Sequence, residues 1–69
     1  MRYAVVIERT GNNYSAYVPD LPGCISTGDT IAVVETTIRE AIEFHLEGMR
    51  EDHLAIPNPT AIVEYCEAV

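Results

Sequence analysis

The run Tyr17-Val18-Pro19-Asp20-Leu21-Pro22-Gly23-Cys24-Ile25-Ser26-Thr27-Gly28-Asp29-Thr30 holds two of the chain's four prolines and two of its four glycines. Proline cannot donate to a β-ladder and fixes its own φ, and glycine reaches backbone angles closed to other residues. The chain must therefore turn twice here and then launch a helix. A strand should end near Val18, a short strand should occupy Cys24 to Thr27, and a helix should begin at about Thr30.

Upstream, Arg2 to Arg9 alternates, with Tyr3, Val5 and Ile7 on one side and Ala4, Val6 and Glu8 on the other, and its β-branched content favours a strand. Thr10 to Asn13 has the composition of a turn, and Tyr14 to Val18 follows as the return strand of a hairpin. Downstream, Thr30 suits an N-cap with Asp29 beside it, although Val33 stands where a capping box would need Glu or Gln. Ile31, Val34, Ile38, Ala41, Ile42, His45 and Met49 then recur at the 3,4 spacing of a helix lying on a sheet, and the helix should run to about Asp52. His53 to Pro59 reads as an extended connector, and Thr60 to Cys66 alternates again as a strand. The expected fold is α+β in the order β-β-β-α-β, an antiparallel four-stranded sheet with one helix packed on one face. One helix covers only one face of such a sheet. Ala4, Val6 and Tyr17, on the other, need a second copy or another protein, and a homo-oligomer is expected.

The combination V-P-D-L-P-G-C-I-S-T-G-D-T (Val18–Thr30), T-I-R-E-A-I-E-F-H-L-E (Thr37–Glu47) and I-P-N-P-T (Ile56–Thr60) resembles the HicB-type antitoxins of toxin-antitoxin pairs, over most of the chain. The resemblance implies a partial ribonuclease-H-like fold whose role is to bind and silence a small basic ribonuclease toxin of the HicA type. In that family the helix commonly stops at a glycine near the position of His53, and histidine tolerates the left-handed conformation less well. Many HicB-like proteins add a C-terminal DNA-binding domain. Here the expectation is a single domain, 1–69, without one, and contact with operator DNA is not carried over.

With 69 residues the chain hides only about 60% of the surface its unfolded form exposes, so a partner would help it. Four basic residues, all arginine, against eleven acidic ones give a net charge of −7, which repels phosphate backbones and attracts a basic protein surface. No direct nucleic-acid partner is expected. Neither a signal peptide nor a membrane span is evident, which makes the cytoplasm the expected location. Cys24 and Cys66 lack any C-x-x-C spacing and read as small apolar residues rather than a bridge.

A ribonuclease-H-like fold invites a metal-dependent nuclease reading, but that chemistry needs several acids converging on paired cations. Glu8, Asp20 and Asp29 do not form such a set, so no catalytic residue, metal site or cofactor is assigned. His45 on the core stripe reads as a core histidine tied to a carbonyl, and with His53, Cys24 and Cys66 it lacks zinc-ligand spacing. No activating base is identifiable for Cys24 or Ser26. The outward side of the helix is more informative. Glu40, Glu43, Glu47 and Glu51 share one arc with Phe44, an acidic ridge with an aromatic anchor suited to a basic partner. The turn displaying Tyr17, Asp20 and Leu21 is a second candidate contact. The sequence supports an antitoxin that neutralises its toxin by direct binding. The alternatives are a metal-dependent nuclease or hydrolase on the same fold and a stand-alone interaction module with another partner.

Overall fold

Three strands and a helix form in the computed structural model, which describes residues 1–69: β1 (Val6–Thr10), β2 (Asn13–Tyr17), β3 (Ile25–Gly28) and α1 (Ile31–Glu51). The sheet is antiparallel in the order β1-β2-β3. Its register sets Val6 opposite Tyr17 and Ile7 opposite Ala16 across the first pair, and Ala16 opposite Ser26 and Tyr17 opposite Ile25 across the second. Directly opposed residues point to the same face, so Ile7, Ala16 and Ser26 face α1 while Val6, Tyr17 and Ile25 face away.

The paired turns form where the prolines dictate. Leu21 N–H donates to Val18 C=O at 3.0 Å and Cys24 N–H donates to Leu21 C=O at 3.0 Å, which closes two successive four-residue turns with Pro19 and Pro22 at their second positions. Gly23, at φ 84°, takes the left-handed position of the second turn. Val18 N–H then reaches Cys24 C=O and extends the β2–β3 pairing past Tyr17. Gly28 brings α1 close to β3, because a Cβ there would lie 2.9 Å from Val33 Cγ1 and 3.1 Å from the Val34 nitrogen.

Helix α1 is capped as the sequence suggests: the Thr30 hydroxyl accepts the Val33 N–H at 3.1 Å. It packs across β3 and β2 and leaves β1 largely uncovered. The Ser26 hydroxyl donates to Thr37 Oγ1, whose own proton goes to Val34 C=O, tying β3 to the helix. The core is small: Ala16, Val18, Leu21, Cys24, Val34 and Ile38 are the six buried residues. The expected helical stripe is only partly covered, for Ile31 is 48% exposed and Ala41, Ile42, His45 and Met49 are half-buried. His45 makes none of the side-chain hydrogen bonds, so the expected tie to a carbonyl is absent.

Two strand expectations need correction. The first strand begins at Val6 rather than Arg2. The residue facing Val5 in register is Val18, whose N–H already serves Cys24 and whose carbonyl closes the turn, and Pro19 beyond it has no N–H to give. The expected fourth strand, Thr60 to Cys66, does not form, and the sheet has three strands rather than four. Ala61 to Val63 lie near Arg2 to Ala4, yet no backbone hydrogen bond joins them, and Ile62 is 85% and Tyr65 96% exposed.

At the helix end, His53 adopts φ 56° despite its side chain. Its N–H donates to Arg50 C=O at 3.1 Å, and Leu54 N–H donates to Met49 C=O at 2.9 Å, a Schellman pair that normally favours glycine at that position. A side chain in this region costs roughly 1–2 kcal/mol. Replacing His53 with Gly is expected to stabilise the fold by about 1 kcal/mol, raising Tm by about 4–8 °C. Urea and thermal unfolding followed by circular dichroism check this, and an unchanged midpoint would show that His53 carries no strain.

Candidate functional site

The surface features divide between the outward side of α1, the turn, and the sheet face away from the helix. At 3.6 residues per turn, Glu40, Glu43, Phe44, Glu47 and Glu51 fall within roughly 100° of the helix circumference. All five are exposed, and Phe44 is 80% exposed. The sequence expectation of an acidic ridge around a bare aromatic side chain therefore describes the surface as it stands. Glu43, Glu47 and Glu51 repel one another at i,i+4 spacing, at about 0.2–0.5 kcal/mol per pair. Arg50, the one basic residue of the last turn, borders this arc one heptad on from Glu43, and both line the groove toward β1.

The turn candidates fare differently. Leu21 is 1% exposed and sits in the core, so it is not a partner contact; the two turns fold its side chain inward under α1. Asp20 is already engaged. One carboxylate oxygen accepts N–H groups from Thr60 at 3.1 Å and Ala61 at 3.0 Å, and the other accepts the Thr60 hydroxyl at 2.9 Å. Residues 54–69, which have no regular structure, are thereby pinned to the turn at one point. A second tie is the Tyr3 hydroxyl, which donates to Pro57 C=O at 2.6 Å. The sequence offered Asp20 as a turn former, and nothing in its spacing pointed to a partner forty residues away. Tyr17, at 41% exposure, does remain on the surface.

On the far face of the sheet, Val6 and Tyr17 share a cross-strand row as expected, and Ala4 belongs to the same face by alternation. Ile25, which the sequence reading did not include, completes the row and is 68% exposed. A second apolar surface also went unread. Because α1 lies over β2 and β3, a groove of about 590 Å³ stays open between Tyr3, Val5 and Ile7 on one wall and Ile38, Ile42 and Leu46 on the other.

Titratable chemistry is sparse. The Ala61 N–H, helped by the hydroxyl and N–H of Thr60 and opposed by desolvation, holds the Asp20 carboxyl below the usual carboxylate range. Burial pushes the Cys24 thiol up, away from thiolate reactivity, while Cys66 is free and exposed rather than a packed apolar residue. No group of three His, Cys, Asp or Glu side chains is placed to hold a metal ion. No helix is long and apolar enough to cross a membrane.

A family model described as the HicB-like antitoxin of bacterial toxin-antitoxin systems matches residues 3–69. The chain is 43% identical over 65 residues to a 14.9 kDa protein of the rep-hol intergenic region of Haemophilus phage HP1, covering 94% of this chain and 49% of the phage protein. It therefore spans about half the length of that relative. It is 44% identical over 50 residues to a UPF0150 protein of Helicobacter pylori, covering 72% of this chain and 69% of that one. Among solved structures, it matches a chain of a HicA3 and HicB3 toxin-antitoxin complex with a TM-score of 0.73 and 28% identity, over 86% of this chain and 70% of that one.

The Asp20 clamp has a definite pH signature. A carboxyl held below its ordinary range when folded favours the clamped state at neutral pH, and that contribution fades as the pH falls through the lowered value. The amide resonances of Thr60 and Ala61 should therefore shift together in an acid titration, with a midpoint below that of an ordinary aspartate. In Asp20→Ala, which has no acceptor for these N–H groups, both should already sit at their unclamped positions at neutral pH and show no titration. Coincident spectra for the two proteins at pH 7 would refute the clamp.

Proposed function

The chain belongs to the family of HicB-like antitoxins of bacterial toxin-antitoxin systems, and from that premise we propose that it neutralises a small basic ribonuclease toxin of the HicA type by direct binding. The binding covers the toxin's RNA-cleaving surface and involves no chemistry by this chain. The observation that carries the reading is Phe44, an 80% exposed aromatic ring among Glu40, Glu43, Glu47 and Glu51 on a chain of net charge −7. Like charges gathered on one helix side work against the helix alone. A cationic partner turns that cost into attraction, and the ring supplies the desolvated centre that carries most of the affinity in protein interfaces. The likeness to a chain of the HicA3 and HicB3 complex supports the same assignment.

In this reading the row Ala4, Val6 and Tyr17, extended by Ile25, is covered by a second copy of the chain, and the protein acts in the cytoplasm. The partial ribonuclease-H-like architecture also belongs to it, with residues 60–66 as a fourth strand that forms only in the assembly.

Phe44→Ala should leave the fold unchanged, since the ring is solvent-exposed, yet weaken toxin binding by about 2 kcal/mol, roughly 30-fold in Kd. Replacing Glu43 and Glu47 with Gln should flatten the dependence of association rate on salt. Titration calorimetry and stopped-flow association with the co-expressed toxin measure both. An unaltered affinity together with an unaltered salt slope would remove the ridge from the interface.

A further inference from the structure

Three features that work against the isolated chain meet at the C-terminal end of α1. His53 holds φ 56°, a conformation that costs a residue with a Cβ free energy and costs glycine almost none. Glu51 and Asp52 precede it directly and Glu47 lies one turn back, so three carboxylates stand against the single Arg50 at the end where the helix dipole favours cations. Glu47 and Glu51 also repel each other at i,i+4 spacing. Nothing inside the chain offsets the strain at His53. The bonds of the helix end, His53 N–H to Arg50 C=O and Leu54 N–H to Met49 C=O, are backbone bonds that glycine would make equally well. The imidazole itself is exposed and joins none of the side-chain hydrogen bonds.

Strained residues and broken local rules gather where a surface serves a partner rather than the fold. We infer that His53 is a contact residue of the partner-binding surface, which runs from Phe44 along Glu47 and Glu51 and past the end of the helix to His53 and Leu54. At about 1.5 Å per residue, Phe44 and His53 lie about 13 Å apart along the helix axis, within the reach of one interface of standard size. Leu54 is 55% exposed, so apolar surface continues beyond the last acid. The partner is the cationic toxin of the reading above, on which this inference rests. Its charge neutralises Glu47, Glu51 and Asp52 at the negative end of the dipole, and docking there brings it against a ring with an apolar face and a hydrogen-bonding edge. A glycine would end the helix without strain and offer the toxin nothing.

The test compares His53→Gly with His53→Ala in the full chain. Glycine removes both the strain and the ring, whereas alanine removes the ring alone, so thermal unfolding should place His53→Gly above the parent and His53→Ala not above it. Calorimetry with a co-expressed HicA-type toxin should nevertheless find both variants weaker by a similar factor, about tenfold in Kd. An affinity that follows stability instead, with His53→Gly binding as tightly as the parent, assigns the residue to the helix end alone and overturns the inference. The ring is also read directly by NMR: on toxin addition the His53 imidazole resonances should move by more than those of half-buried His45. A His53 that moves no more than His45 overturns the contact as well. Phe44→Ala separates the two levels of failure. If it weakens binding while both His53 variants bind as the parent does, the antitoxin reading stands and this contact falls; a parent that binds no HicA-type toxin removes both.

Discussion

Two hydrogen bonds, Leu21 N–H to Val18 C=O and Cys24 N–H to Leu21 C=O, govern the rest of the molecule. They reverse the chain within seven residues, so that β3 returns beside β2 and Leu21 is carried beneath the helix. Pro19 and Pro22 lower the entropy lost in forming these turns because their φ angles are set in advance. With six buried residues in all, there is little redundancy behind this arrangement. The same turn presents Asp20 to the segment after the helix, so one short stretch organises the core and the chain's far end together.

The uneven coverage of the sheet follows from where that turn places β3. Gly28 lets α1 approach β3 closely, and a helix seated over β3 and β2 does not extend to β1. The result is a molecule with a finished side and an unfinished one. The finished side carries the acidic helix surface and Phe44, suited to a cationic partner. On the unfinished side are the open groove, the bare strand edge and all four arginines. The two sides meet along Glu43, which belongs to the acidic helix surface and also lines the groove beside Arg39 and Arg50.

Much of this was legible in the residues. Proline and glycine placement located the paired turns, Thr30 announced the helix start, and strand alternation put Val6 and Tyr17 on one face, where the register keeps them. The helix surface bearing Phe44 followed from 3.6-residue periodicity alone. Three things were not legible, each for a physical reason. Turn composition reports backbone geometry and not the direction of side chains, so Leu21 and Asp20 passed for surface contacts although one is buried and the other bonded to Thr60 and Ala61. Strand propensity says that residues 60–66 suit a pleated surface, not that they hydrogen-bond to the segment beside them. The position of α1 across the sheet, and hence the groove at Tyr3, Val5 and Ile7, depends on the close approach at Gly28, which no periodicity encodes.

The clamp at Asp20 also limits how far the segment after the helix can swing. A loose strand former with free rotation at its base can hand itself from molecule to molecule indefinitely, which is the route to fibres. Fixing Thr60 and Ala61 shortens the lever on which residues 62–69 move and restricts its directions. One buttressing carboxylate thus steadies the segment that follows the helix in a protein that leaves part of its sheet unsealed.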